Sequence, residues 1–180
     1  YDVAAPEVVL VWVEGSLPHG VGPHDVAISL CGEVFKDGLV KNKVLEFAGP
    51  GIKNLSMDSR IGIDVMTTET SCLSSIWVTD ETVEEYYKTV LRPEAYKKLA
   101  PADTAYYDAV IRVDLSTQEC MIALPFHPSN AYTVHELCAD PQKILSKVQD
   151  ECNTALENVE LKLTDCITAD GKVQVDQGII

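Results

Sequence analysis

Between Glu7 and Glu14 the chain reads EVVLVWVE, a nearly unbroken apolar run fenced by Pro6 and Gly15. A run of that length suits a central strand covered on both faces. Past the turn at Gly20–Pro23, Val26, Ala27, Leu30, Cys31 and Val34 recur at helical spacing, which predicts an amphipathic helix starting at Pro23 or Asp25. Lys43–Ala48 predicts a second strand, Gly49-Pro50-Gly51 a turn, and Ser56 the N-cap of a helix running to about Thr70. Leu73–Val78 reads as a third strand. Thr79-Asp80-Glu81-Thr82 then starts a helix whose packing face is Val83, Tyr86, Tyr87 and Val90, and a short helix restarts at Arg92-Pro93-Glu94 and runs through Leu99. In Asp108–Leu115 the apolar residues alternate with Arg112 and Asp114, the signature of a fourth strand.

Strand and helix in strict alternation predict an α/β fold, here a three-layer α/β/α domain. Beyond it the pattern loosens. Met121–Phe126 leads into the turn-rich connector His127-Pro128-Ser129-Asn130. Asp140-Pro141 opens a strong helix with a stripe at Ile144, Leu145, Val148, Cys152, Ala155 and Leu156. Leu161–Ile167 and Val173–Ile180 read as strands joined by a hairpin turn at Ala169–Lys172. The expected division is a central domain over residues 1–125 and a helix-plus-strands segment over 126–180.

Composition changes the picture in two ways. A net charge of -14 argues against a nucleic-acid surface and against anionic membranes, both of which need clustered Lys and Arg. The six cysteines, at 31, 72, 120, 138, 152 and 166, contain no CxxC and lie inside apolar patterns. They are read as reduced thiols in a cytoplasmic protein. The glycine turns before the first two helices are read as ordinary turns rather than anion sites, and His19, His24, His127 and His135 as surface residues.

One stretch resists a packing explanation. Met66-Thr67-Thr68-Glu69-Thr70-Ser71 puts hydroxyls and a carboxylate where leucines would pack better. A carboxylate in that setting either ends a solvated helix or holds a water or substrate hydroxyl.

The segments GVGPHDVAISLCG and GLVKNKVLEFAGPGIKNLSMDSRIGIDVMTTETSCLSSIWVTDETVEEY resemble the aconitase superfamily, which comprises aconitase, homoaconitase and isopropylmalate isomerase. Asp25-Val26-Ala27-Ile28, Glu46–Gly51, Leu55-Ser56, Arg60, Met66, Glu69, Thr79-Asp80-Glu81 and Tyr86 fall on the family's motif positions in order. The resemblance spans residues 8–90 by motif and 91–140 by order of elements. It implies a divergent, bacterial-type member, with this chain as the second of three α/β domains and the run into the third. In the family those domains surround a [4Fe-4S] cluster whose iron acts as Lewis acid, and a serine elsewhere removes the α-proton. The implied activity is dehydration and rehydration of a 2-hydroxy di- or tricarboxylate. The fragment alone is expected to be inactive, and its partners to be the remaining domains of the parent chain and a small hydroxy-acid substrate. Glu69 matches the family's glutamate that hydrogen-bonds the water or hydroxide on the labile iron, and the resemblance places the cluster ligands outside this chain, past a strand over Gln174–Ile180. Two positions depart from the pattern: Val65 stands where the family has Asn, and Thr70-Ser71-Cys72 replaces the usual small residues after the glutamate. Those departures leave room for an alternative, a structural or interaction module that kept the fold and lost the chemistry.

Overall fold

Alternating burial along four short strands builds one face of the domain. The computed structural model describes residues 4–158 and 160–176. β1 (Val8–Glu14), β2 (Val44–Ala48), β3 (Ser74–Trp77) and β4 (Ala109–Asp114) form a parallel sheet in the order β3-β2-β1-β4. The register aligns Val9 with Leu45, Val11 with Phe47 and Ile111, and Val13 with Val113. All seven of these side chains are buried. Against them lie α1 (Pro23–Val34), through Val26, Leu30 and Val34, and α2 (Met57–Met66), through Ile63. Each aliphatic side chain so buried contributes roughly 1.5–3 kcal/mol. Trp77 finishes the layer by stacking on Phe47, with centroids 4.1 Å apart and planes 1° from parallel.

The α/β class therefore holds, and β1 is central. The expected covering of both its faces does not. Leu10 is only partly buried, and Trp12, Ile76 and Val110 on the same face are 37%, 48% and 57% exposed. Of the three layers read from the sequence, the described residues supply the sheet and one helical layer. α3 (Glu81–Thr89) packs beside α2.

The segment after α3 departs from expectation. Only a turn of 3₁₀ helix forms, Pro93–Ala95, because residues 97–99 are held extended on Thr79. Thr79 Oγ1 donates to Lys97 O at 2.9 Å and accepts from Leu99 N at 2.7 Å, while Thr79 N donates to Leu99 O at 3.0 Å. These bonds take the groups a helix would have used.

β5 (Met121–Ala123) and β6 (Ala131–Thr133) form an antiparallel hairpin that packs on α1. Asp25 ties the two together: one carboxylate oxygen takes Gly22 N at 2.7 Å, the other Met121 N at 2.7 Å. The approach is close enough that a Cβ at Gly32 would sit 2.8 Å from Ala131 Cβ. α4 (Val134–Ala139), absent from the sequence reading, is started by a Thr133/Glu136 capping box. α5 (Pro141–Ala155) follows as expected, capped by Asp140 and burying Leu145, Val148 and Cys152. The strands expected after it are not formed among the described residues. Leu163–Cys166 is a 3₁₀ turn, and one antiparallel bridge, Ile167 to Val173, closes the expected turn. Residues 177–180 of the last expected strand lie outside the described residues.

Candidate active site

The site is built on the connection from β2 into α2. Gly49 adopts φ 115°, and a Cβ there would overlap the Val13 carbonyl. Gly51 is also pressed close, 2.9 Å from the backbone of Glu14 for any added Cβ. Only glycine lets the turn lie flat on the end of β1. Gly51 N donates to Val13 O at 2.8 Å, and in the earlier glycine turn Val21 N and Gly22 N are taken by Pro18 O and Asp25. These amides are committed within the fold, in keeping with ordinary turns. Ser56 caps α2, accepting from Ser59 N at 3.1 Å.

Arg60, one of the motif positions, lies in the interior at 2% exposure. Its guanidinium donates to both Asp80 carboxylate oxygens, at 2.8 and 2.6 Å, and to the carbonyls of Ile52 at 2.9 Å and Leu55 at 3.2 Å. Asp80 is at the same time the N-cap of α3, accepting from Val83 N. Partial burial pushes the Asp80 carboxyl up, but the Arg60 guanidinium and the α3 amides outweigh it and hold it below the usual carboxylate range. One buried cation thus locks the glycine turn, α2 and the start of α3 into a single body.

α2 ends at Met66, four residues earlier than expected, and Thr67–Thr70 continue as 3₁₀ helix closed by Ser71 in the left-handed region at φ 61°. The threonines cause the change. The hydroxyls of Thr67, Thr68 and Thr70 donate back to the carbonyls of Asp64 (2.8 Å), Val65 (3.0 Å) and Thr67 (2.6 Å), in competition with continued helix. Thr67 and Thr70 are buried, so the stretch is not simply a solvated helix end. All three threonine hydroxyls are satisfied internally, that of exposed Thr68 included, and half-buried Glu69 is the one carboxylate of the stretch.

Glu69 is half-buried, and Nε2 of His127 lies 3.7 Å from its Oε2. His127 belongs to the β5–β6 loop, where its Nδ1 receives Ser129 N at 3.1 Å and lies 2.9 Å from Ser129 Oγ. Its ring packs against Phe35 at the end of α1, with centroids 4.1 Å apart. Behind the turn, burial foremost, with the Glu69 and Cys72 charges adding to it, pushes the Cys31 thiol up to about 11. The sequence reading of His127 as an isolated surface residue is thus replaced by a carboxylate–imidazole pair. No spacing could have signalled it, since the partners come from different elements. His19, His24 and His135 are exposed, and Val65, at the family's asparagine position, is 63% exposed.

All six cysteines are free thiols. Among the described residues no group of three or more His, Cys, Asp or Glu is gathered to hold a metal. The donors present do not fit a metal cluster. No described helix is long and apolar enough to cross a membrane.

Comparison with known proteins agrees with the motifs. The family model for the aconitase family (aconitate hydratase) matches residues 1–180. The mitochondrial homoaconitase of Yarrowia lipolytica is 34% identical over 170 residues, covering 86% of this chain and 25% of that protein. The 3-isopropylmalate dehydratase large subunit 1 of Thermotoga maritima is 30% identical over 159 residues, covering 88% of this chain and 38% of that one. A 3-isopropylmalate dehydratase large subunit from Campylobacter hominis is 34% identical over 140 residues, 77% of this chain and 33% of that protein. The chain spans between a quarter and two-fifths of the length of these relatives. With a family match along its whole length and motifs that fold into one locked turn, the chain belongs to the aconitase family.

Proposed function

We propose that this chain is an internal domain of a hydro-lyase that dehydrates and rehydrates a 2-hydroxy di- or tricarboxylate, and that Glu69 is its contribution to the chemistry. The observation that carries the reading is local. In a turn whose threonine hydroxyls bond back into their own backbone, Glu69 is the one carboxylate, half-buried with its side chain 43% exposed. A carboxylate so placed accepts a hydrogen bond from the hydroxyl that leaves in dehydration. The names of the relatives, homoaconitase and 3-isopropylmalate dehydratase, support the hydroxy-acid class. The [4Fe-4S] cluster of the family would take its ligands, like the base and the substrate-carboxylate contacts, from outside these residues. The chain alone would then be inactive, completed by other domains of a longer protein. Its free thiols are consistent with a reducing compartment such as the cytoplasm.

A second reading, a module that kept the fold without the chemistry, draws on exposed Val65 at the family's asparagine position. The two separate in the intact protein, reconstituted anaerobically with iron and sulfide and assayed against 2-hydroxy tricarboxylates and 3-isopropylmalate. Turnover of any of these supports the hydro-lyase. A fully loaded cluster with no turnover of any supports the module. The chain alone, treated the same way, should show no cluster absorption band; a stoichiometric band would mean that its own cysteines bind iron and that its placement in the family architecture is wrong.

A further inference from the structure

Between α2, α3, the end of β3 and the extended residues 97–99 lies a pocket of about 340 Å³, at the small end of the roughly 300–1,000 Å³ of small-molecule sites. Its wall is largely apolar, with Ile61, Trp77, Val83 and Tyr87 among the lining side chains. Three charged residues line it as well: Arg60, Asp64 and Lys97. We propose that this pocket binds a small apolar amino acid as its zwitterion, with the ammonium on Asp64, the carboxylate on Lys97 and the side chain against the apolar wall. Glu69 does not line the pocket, so the site stands apart from the role given to that residue.

The three charges are not equivalent. Arg60 is committed: its guanidinium donates to Asp80 and to the Ile52 and Leu55 carbonyls. Asp64 is committed on one side only. Its Oδ1 accepts from Ser75 Oγ at 2.6 Å and from Trp77 Nε1 at 2.8 Å, while Oδ2 takes no hydrogen bond among the described residues. Nor is that oxygen sealed from solvent. A carboxylate fixed through one oxygen and open at the other suits an ammonium, which brings three N–H donors. Lys97 is exposed and makes no ion pair among the described residues, which leaves its ammonium for an anionic group. An open anion, an open cation and an apolar wall match the three parts of an apolar amino acid. A hydrocarbon would leave both charges unpaired, and a dicarboxylate would bring like charge to Asp64.

The walls are formed in advance. Trp77 is stacked on Phe47 and its N–H is held by Asp64, so the indole lining the pocket is fixed from two sides. The Arg60–Asp80 pair ties α2 to the start of α3, and Thr79 holds residues 97–99 through three hydrogen bonds. A ligand entering such a site loses little free energy to ordering the protein.

Isothermal titration calorimetry of the intact protein with L-leucine and L-phenylalanine tests the assignment. At least one of them should bind saturably with Kd below about 1 mM. Glycine, which lacks the side chain, should bind at least about tenfold more weakly. The deaminated analogue of the tighter ligand, 4-methylpentanoate or 3-phenylpropanoate, should also lose at least about tenfold, because Asp64 is left without its cation. The corresponding amide, and the Lys97→Met variant, should lose a few-fold, the smaller effect of a solvent-screened pair. Ile61 lines the pocket yet is 39% exposed, so Ile61→Trp fills the space without forcing an indole into the core. That variant should abolish binding with the unfolding midpoint unchanged. No saturable binding of either amino acid up to about 10 mM overturns the proposal. So does binding that survives Ile61→Trp, or a deaminated analogue or amide that binds as tightly as the parent amino acid.

Discussion

Replacing Arg60 by methionine keeps the aliphatic stem and removes the buried guanidinium, which isolates the lock beneath the site. Four hydrogen bonds disappear: two to Asp80 and one each to the Ile52 and Leu55 carbonyls. Breaking a buried ion pair by removing one partner costs about 3–5 kcal/mol. Asp80 retains 20% side-chain exposure, so water can rehydrate it, and the low end, about 3 kcal/mol, is expected. Against a typical domain stability of about 5–15 kcal/mol the loss is large. With a urea m-value of ~2 kcal/mol/M, the unfolding midpoint should fall by roughly 1.5 M. Asp80→Asn should also destabilise, by about 2 kcal/mol, since it leaves the guanidinium facing a neutral amide. The double variant should lose about 1–2 kcal/mol less than the sum of the singles, because both remove one interaction. A drop below about 1 kcal/mol for Arg60→Met, or singles that add within about 0.5 kcal/mol, would refute the lock.

Three further outcomes follow from the same structure. The Asp80 carboxyl is held below its ordinary value of about 3.9, so its stabilising effect is complete above that value and lost as pH falls through the lower folded one. The stability gap between wild type and Asp80→Asn should therefore stay flat from neutral pH to about pH 5 and close in stronger acid, measured by urea titration at each pH; a gap that widens in acid contradicts it. Cys31 titrates in the opposite sense. Its folded pKa is raised from 9.0 to about 11, so the buried thiol stabilises fully below pH 9 and progressively less as pH climbs toward 11. Cys31→Ala should flatten that alkaline loss, and thiol-reagent kinetics should show exposed Cys120 and Cys138 reacting before Cys31. Gly49→Ala, forced into φ 115° against the Val13 carbonyl, should cost more than about 2 kcal/mol by thermal or urea unfolding; a near-neutral effect would mean that the turn does not press on β1.

What the sequence made legible is what local physics decides alone. The continuous run of β1, the alternation of β4, the Ser56 cap, the helix start within Thr79–Thr82 and the Asp140-Pro141 start of α5 all fall where pattern and capping chemistry placed them. The misses come from groups that compete for the backbone across a distance. The stretch from Arg92-Pro93-Glu94 through Leu99 reads as helix, but Thr79 claims the Lys97 carbonyl and both backbone groups of Leu99. The threonines at the end of α2 read as helix continuing to about Thr70, yet two turn inward and the helix stops at Met66. α4 had its signal, Thr133-Val134-His135-Glu136, hidden in a stretch that reads as connector. The site divides the same way. Glu69 is identifiable because a motif names its position, whereas His127 reaches it only through the packing of the β5–β6 hairpin on α1. Arg60 and Asp80 are both visible as motif residues. That they are partners emerges only in three dimensions, where α2 and α3 lie side by side.

The most direct test of the central claim is kcat of the intact, cluster-loaded protein with Glu69→Gln, a change that keeps size and removes the charge. With the cluster absorption and the unfolding midpoint unchanged, the account predicts a fall in kcat of at least about 100-fold, comparable to the loss of a positioned proton-transfer or hydrogen-bonding group. Turnover within about threefold of wild type under those conditions would contradict it. Glu69 would then be a solvated turn residue, and the chemistry of this domain would have to be sought elsewhere on its surface.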